Sequence, residues 1–166
     1  MAQTYTSAAT SINSGRLPAV YGRIPYFTGR VVLDWGCGRY TDHIRAALPG
    51  HLAYLPYDPF NQPEEVNRDT LALVRIAVHT QTPVTVICSN VLNVIDNEDE
   101  IRSIAAWIQY IVQKTGGIGY VTVYEGNRSG TGRKTGPDQY QRNAPIRDYL
   151  KYFPGSRIQS WMIVIR

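Results

Sequence analysis

Asp34, Gly36, Cys37 and Gly38 fall within "VVLDWGCGRY", residues 31–40, where an apolar run passes straight into a Gly-Cys-Gly turn. Such residues can cradle a phosphate, hold a metal or redox centre, or seat another cofactor. A dinucleotide fingerprint needs a third glycine three residues after the second, and Thr41 stands there instead. A P-loop needs Gly-Lys-Ser or Gly-Lys-Thr at this place, which is absent. Neither Cys37 nor Cys88 has a second Cys or a His at ligand or activating spacing, so both read as reduced structural thiols. His43, His51 and His79 are scattered, and no metal site is expected.

The acids around the turn are more informative. Asp34 ends a buried apolar run, where an ionised carboxylate is costly unless a charged or hydrogen-bonding group meets it. An amino group on a ligand would meet it well. Asp58 ends the next apolar run, where a carboxylate can accept from ribose hydroxyls. The pair describes a ligand with an ammonium near the first turn and a ribose near the second.

Other candidates lie further along the chain. Ser89 and Asn90 end a third apolar run; Asn90 and Asn93 can orient a nucleophile or simply cap a turn. Glu125 is eligible by position as a base. From Gly126 to Lys151 there are six basic side chains against two acidic ones, so this segment carries the whole +4 surplus and the rest of the chain has 11 of each. Arg128, Arg133 and Lys134 in its loop Gly126 to Gly136, with Tyr124, Tyr140 and Gln141 flanking that loop, are candidate substrate contacts, and nucleic acid is a partner such charge could attract. Residues 126–144 read as a mobile basic loop over the site. Residues 1–29 read as a segment covering the site, with Asn13, Arg16 and Tyr21 as contacts.

These residues need a scaffold. The spacing predicts strands at 30–35, 51–57, 83–89, 118–125 and 157–165, and helices at 42–48, 63–79, 98–114 and 145–153. The alternation implies one α/β domain over residues 1–166, a mostly parallel sheet of about six strands with helices on both faces. Ligands of such sheets bind beyond the carboxyl ends of the strands. No apolar run is long enough for a membrane span, and residues 1–14 lack a secretory pattern, so a cytoplasmic protein is expected.

Asp34-Trp35-Gly36-Cys37-Gly38 resembles motif I, D-x-G-x-G, of class I S-adenosylmethionine-dependent methyltransferases. Together with "YDPF" and "SNVLNVI", it looks closest to small phage and bacterial methyltransferase-like proteins, whose compartment would be the host cytoplasm. The resemblance covers about residues 30–125 and implies a minimal Rossmann-like methyltransferase fold. It implies that Asp34, Gly36, Cys37, Gly38, Asp58, Pro59, Phe60, Ser89 and Asn90 bind S-adenosylmethionine. The chain departs from the family in having no third strand between Asp58 and Pro83 and one closing strand after Glu125 where two are usual. The expected function is methyl transfer to an acceptor that the sequence leaves unread, a nucleic acid or a small molecule. The alternative is a methyltransferase-like protein that binds cofactor or nucleic acid through its basic loop without turnover.

Overall fold

The computed structural model describes residues 3–6 and 16–166. A six-stranded sheet runs in the order β2-β1-β3-β4-β8-β7, with β1 Val31–Trp35, β2 Ala53–Tyr57, β3 Val84–Ser89, β4 Ile118–Thr122, β7 Arg157–Gln159 and β8 Met162–Ile165. The first four strands in this order are parallel; β8 lies antiparallel to β4 and to β7. Pro56 sits in β2 because that strand is an edge, where a missing amide proton costs no ladder bond.

Helices α2 (Glu64–His79) and α3 (Glu98–Thr115) pack on one face with a 3-10 segment, Ile146–Tyr152. Asn97 starts α3 by accepting from the Asp99 and Glu100 amides, and Gly116, at φ 62°, ends it. Its stripe of Ile101, Ile104, Ala105, Ile108 and Ile111 is buried against the sheet. The other face is covered by α1 (Asp42–Ala47) and by the segment around Val20, with Tyr21, Ile24 and Phe27 packed against it. The chain leaves β1 for β2 on one side and returns across β1 to β3 on the other, so the strand order reverses between the loops after β1 and β3.

The structure corrects the sequence reading after Glu125. The single strand expected over 157–165 is a hairpin, because Ser160 and Trp161 both take positive φ, 50° and 63°, and turn the chain in two residues. Two closing strands are therefore present. The helix expected over 145–153 winds as a 3-10 helix, whose three-residue turn matches the buried positions Ile146, Tyr149 and Tyr152. Within the expected mobile loop, β5 (Arg133–Gly136) and β6 (Gln139–Gln141) pair as a second hairpin. Strand β4 stops at Thr122, short of Glu125, because side chains take over the backbone groups of Tyr124. Asn93 Oδ1 accepts its amide at 3.4 Å and Gln141 Nε2 donates to its carbonyl at 2.9 Å.

Candidate functional site

The loops after β1, β2 and β3 surround a cavity of about 780 Å³ at the reversal point of the sheet. Asp34, Gly36, Cys37, Gly38, Asp58, Pro59, Phe60, Ser89 and Asn90 all line it. So do Arg16 and Tyr140, from opposite ends of the chain.

The first turn is held by spending its own donors. Gly36 and Cys37 both donate their amides to the Tyr57 carbonyl, at 2.7 and 3.2 Å, and Gly38 donates to Asp58 Oδ2 at 3.0 Å. Gln62 Nε2 takes the Gly38 carbonyl at 2.6 Å. With three successive N–H groups committed, the turn has none to offer a phosphate, which agrees with the missing third glycine. Gly36 and Gly38 have φ of 78° and 76°. A Cβ on Gly36 would sit 2.2 Å from Val91 Cγ2, so the loops after β1 and β3 approach each other only over glycine.

Asp34 is buried, and its Oδ2 accepts from the Tyr21 hydroxyl at 2.7 Å and the Tyr54 hydroxyl at 2.8 Å. Burial raises its pKa to about 6; the two tyrosine hydrogen bonds oppose that rise, and the charge of Asp58 adds to it. The same enclosure drives both tyrosines far above their ordinary range, so they remain donors. The amino group expected at Asp34 thus shares the carboxylate with two internal hydroxyls. Tyr54 had no motif to announce it; the period-two pattern alone puts it on the face of Val32 and Asp34.

Asp58 is more heavily engaged than its expected role requires. Oδ1 accepts from the amides of Phe60 and Asn61, both at 3.0 Å, and from Asn61 Nδ2 at 3.1 Å, while Oδ2 accepts from Gly38. By acceptor capacity, Oδ2 has room for one further hydroxyl rather than two on the carboxylate. Because Asn61 turns its NH₂ to that carboxylate, its Oδ1 points away, and it is buried without a partner. Phe60 is 43% exposed on the cavity rim.

Burial, with Asp34 next, pushes the Cys37 and Cys88 thiols upward, and both cysteines are free. Cys37 lines the large cavity as a thiol and not as a nucleophile, and Cys88 lies in the core outside both linings.

A second cavity of about 510 Å³ lies on the other side of Ser89 and Asn90, which line both. Tyr124, Glu125 and Arg128 line this one. Glu125 is tied by Ile146 N–H at 2.7 Å on Oε1 and by Arg128 Nε at 2.5 Å on Oε2, so it braces the loop with both oxygens. Asn93 lines neither cavity; it is buried between Gln141 and the Tyr124 amide. Arg133 and Lys134 lie on β5 outside both linings, with the Lys134 ammonium 5.9 Å from the centre of the Tyr5 ring. Asn13 lies outside the described residues.

The covering segment is joined to the basic hairpin. Thr6 donates to Asp138 through its amide (2.9 Å) and hydroxyl (2.7 Å), Thr4 donates to Asp96 at 3.0 Å, and Tyr5 stacks on Tyr140 at 5.8 Å. Gln3 and Thr6 from one side, and Thr135, Gln139 and Tyr140 from the other, complete the wall of the large cavity.

Among the described residues, no helix is long and apolar enough to cross a membrane, and no group of three or more His, Cys, Asp or Glu could hold a metal ion. Comparison with family models, with curated proteins and with solved structures finds no match to this chain.

Proposed function

We propose that this chain is an S-adenosylmethionine-dependent methyltransferase of minimal class I architecture, with the large cavity as its methyl-donor site. The observation that carries the reading is the meeting of the first turn with Asp58, which offers a ligand the two carboxylates of Asp34 and Asp58 and no open amide donor from Gly36 to Gly38. A ligand with a cationic amino-acid part and ribose hydroxyls suits such a site, whereas a pyrophosphate does not.

The residues present fit that donor. Gly36 lets the loop after β3 close against the first turn, because a Cβ there would collide with Val91. Asp34 would hold the ammonium, and Asp58 Oδ2 would accept one ribose hydroxyl. Phe60 would cover the adenine, and the unpartnered Asn61 Oδ1 would accept from its exocyclic amine. The cofactor, when bound, supplies an activated methyl on a sulfonium. The chain's part is to position the acceptor and exclude water, for which the joined wall of residues 3–6 and the β5–β6 hairpin is placed. Ser89 and Asn90 form the partition beside which donor and acceptor would meet.

Binding without turnover is a second reading, favoured by the full engagement of Glu125 and Asn93. Calorimetric titration with S-adenosylmethionine and its demethylated product tests the donor site. Wild type is expected to bind both, and Gly36→Val neither. No heat and no protection by either ligand in wild type would remove the reading. Labelled methyl transfer to nucleic-acid, protein and small-molecule extracts then separates turnover from binding alone.

A further inference from the structure

We propose that the second cavity binds a nucleotide unit, its base against Tyr124 and Trp161 and its phosphate at Arg23. Among the exposed large hydrophobic side chains, Trp161 at 66% and Tyr124 at 63% are the two most exposed, and both line this one cavity. Neither ring packs on another aromatic among the described residues. Trp161 also holds a left-handed φ of 63° at a turn where Asn or Gly would sit without strain. For a bulky residue this conformation is strained, and the placement of the ring is what the turn gains.

The charge decides what kind of ring is bound. An aromatic pocket with acidic walls would select a cation, but here Arg23 has no carboxylate partner among the described residues, and the one acid, Glu125, is neutralised by Arg128. The lining therefore favours a planar, uncharged ring carrying an anionic group. A volume of about 510 Å³ is within the usual range for small-ligand sites and suits a single nucleotide. Such a unit can come free or from a single strand, where bases are already unstacked; in a duplex the ring would first have to leave the stack.

Ser89 and Asn90 separate this cavity from the larger one, so the bound base would face the methyl-donor site. That the base is the acceptor rests on the function proposed above; that the cavity binds a nucleotide does not.

The test is fluorescence anisotropy with labelled single-stranded DNA and RNA of about 12 nucleotides at low salt, competed with mononucleotides, ribose 5-phosphate and duplex DNA. Single strands are expected to bind more tightly than duplex. Tyr124→Ala and Trp161→Asn, the latter suited to the turn, should each weaken binding about tenfold or more. Arg23→Ala should reduce the salt slope by about one phosphate contact. Mononucleotides competing as strongly per molecule as the oligomers would identify free nucleotides as the source. Ribose 5-phosphate competing equally well would overturn the role of the base. No binding by wild type, or binding unchanged in Tyr124→Ala and Trp161→Asn, would overturn the proposal. Titration of the same variants with S-adenosylmethionine keeps the two readings apart, since loss of donor binding in wild type would remove the methyltransferase reading and leave nucleotide binding standing.

Discussion

Tyr54, on the edge strand, reaches across to Asp34 on the neighbouring parallel strand and donates to Oδ2 at 2.8 Å, the same oxygen that Tyr21 meets at 2.7 Å. Both bonds fall on one oxygen, so an amide can replace the carboxylate without losing either acceptor position. The folded-state carboxyl titrates at about 6 against an ordinary 3.8, so protonation favours the folded chain. Its contribution is fully present below about pH 4, is lost as pH rises to about 6, and is level above that. By linkage the loss amounts to about 3 kcal/mol. Asp34→Asn should raise the melting temperature at pH 8 and flatten its decline between pH 4 and 6. A lower melting temperature at pH 8 would contradict this.

Tyr54→Phe removes one donor from the carboxylate while keeping the ring in the apolar face beside Ile44 and Ile87. Hydrogen bonds to a charged group contribute about 2 kcal/mol, so stability should fall by that order above pH 6 and by less at pH 4, where the carboxyl is protonated. Chemical denaturation at the two pH values measures the difference.

If the large cavity holds a cationic ligand, the ligand favours the Asp34 carboxylate. Binding at or below pH 6 should then release a proton, and affinity should rise with pH up to about 6 and flatten beyond it. Calorimetry in two buffers of different ionisation enthalpy reads the released proton directly. A titration independent of buffer would place the ligand away from Asp34.

Gly36→Ala brings a methyl to within 2.2 Å of Val91 Cγ2 at a φ of 78°. Conformational strain and overpacking together should cost about 3 kcal/mol. Val91→Ala in the same chain should recover the packing share but not the strain, giving a coupling of about 1 kcal/mol or more in a double-mutant cycle. Additive effects would mean that the two loops are not in contact.

Asp138→Ala cuts the two hydrogen bonds from Thr6 and loosens residues 3–6 against the β5–β6 hairpin, with the Tyr5–Tyr140 stack left in place. Because these residues share the cavity wall, the dissociation rate of a bound ligand should rise about tenfold, with a smaller change in melting temperature. Stopped-flow displacement measures the rate.

Much of the first half of the fold was legible in the sequence because its signals are local. The parallel strands are continuous apolar runs, α3 has a cap, an acidic first turn and a terminal glycine, and the Gly-x-Gly turn stands between two strand-end acids. The second half depends on long-range contacts. Ser160-Trp161 carries no glycine or asparagine to mark a two-residue turn. Nor does the β5–β6 hairpin have an alternating apolar face; Asp138 and Tyr140 connect it to the chain's first described residues. In the site, the acids were visible but their partners were not. Tyr21 and Tyr54 converge on Asp34 only through the folding of a covering segment and an edge strand, and the engagement of Asp58 Oδ1 follows from how tightly its turn folds back.

The committed amides of the Gly36–Gly38 turn also bear on competition between ligands. The donor proposed for the large cavity and the nucleotide proposed for the second both present a base on a ribose, so shape alone would let either enter the wrong place. Two carboxylates beside committed N–H groups disfavour a phosphate at the Gly36–Gly38 turn, while Arg23 attracts one to the second cavity. The sign of the charge each ligand carries would thus direct two similar molecules to opposite sides of Ser89 and Asn90.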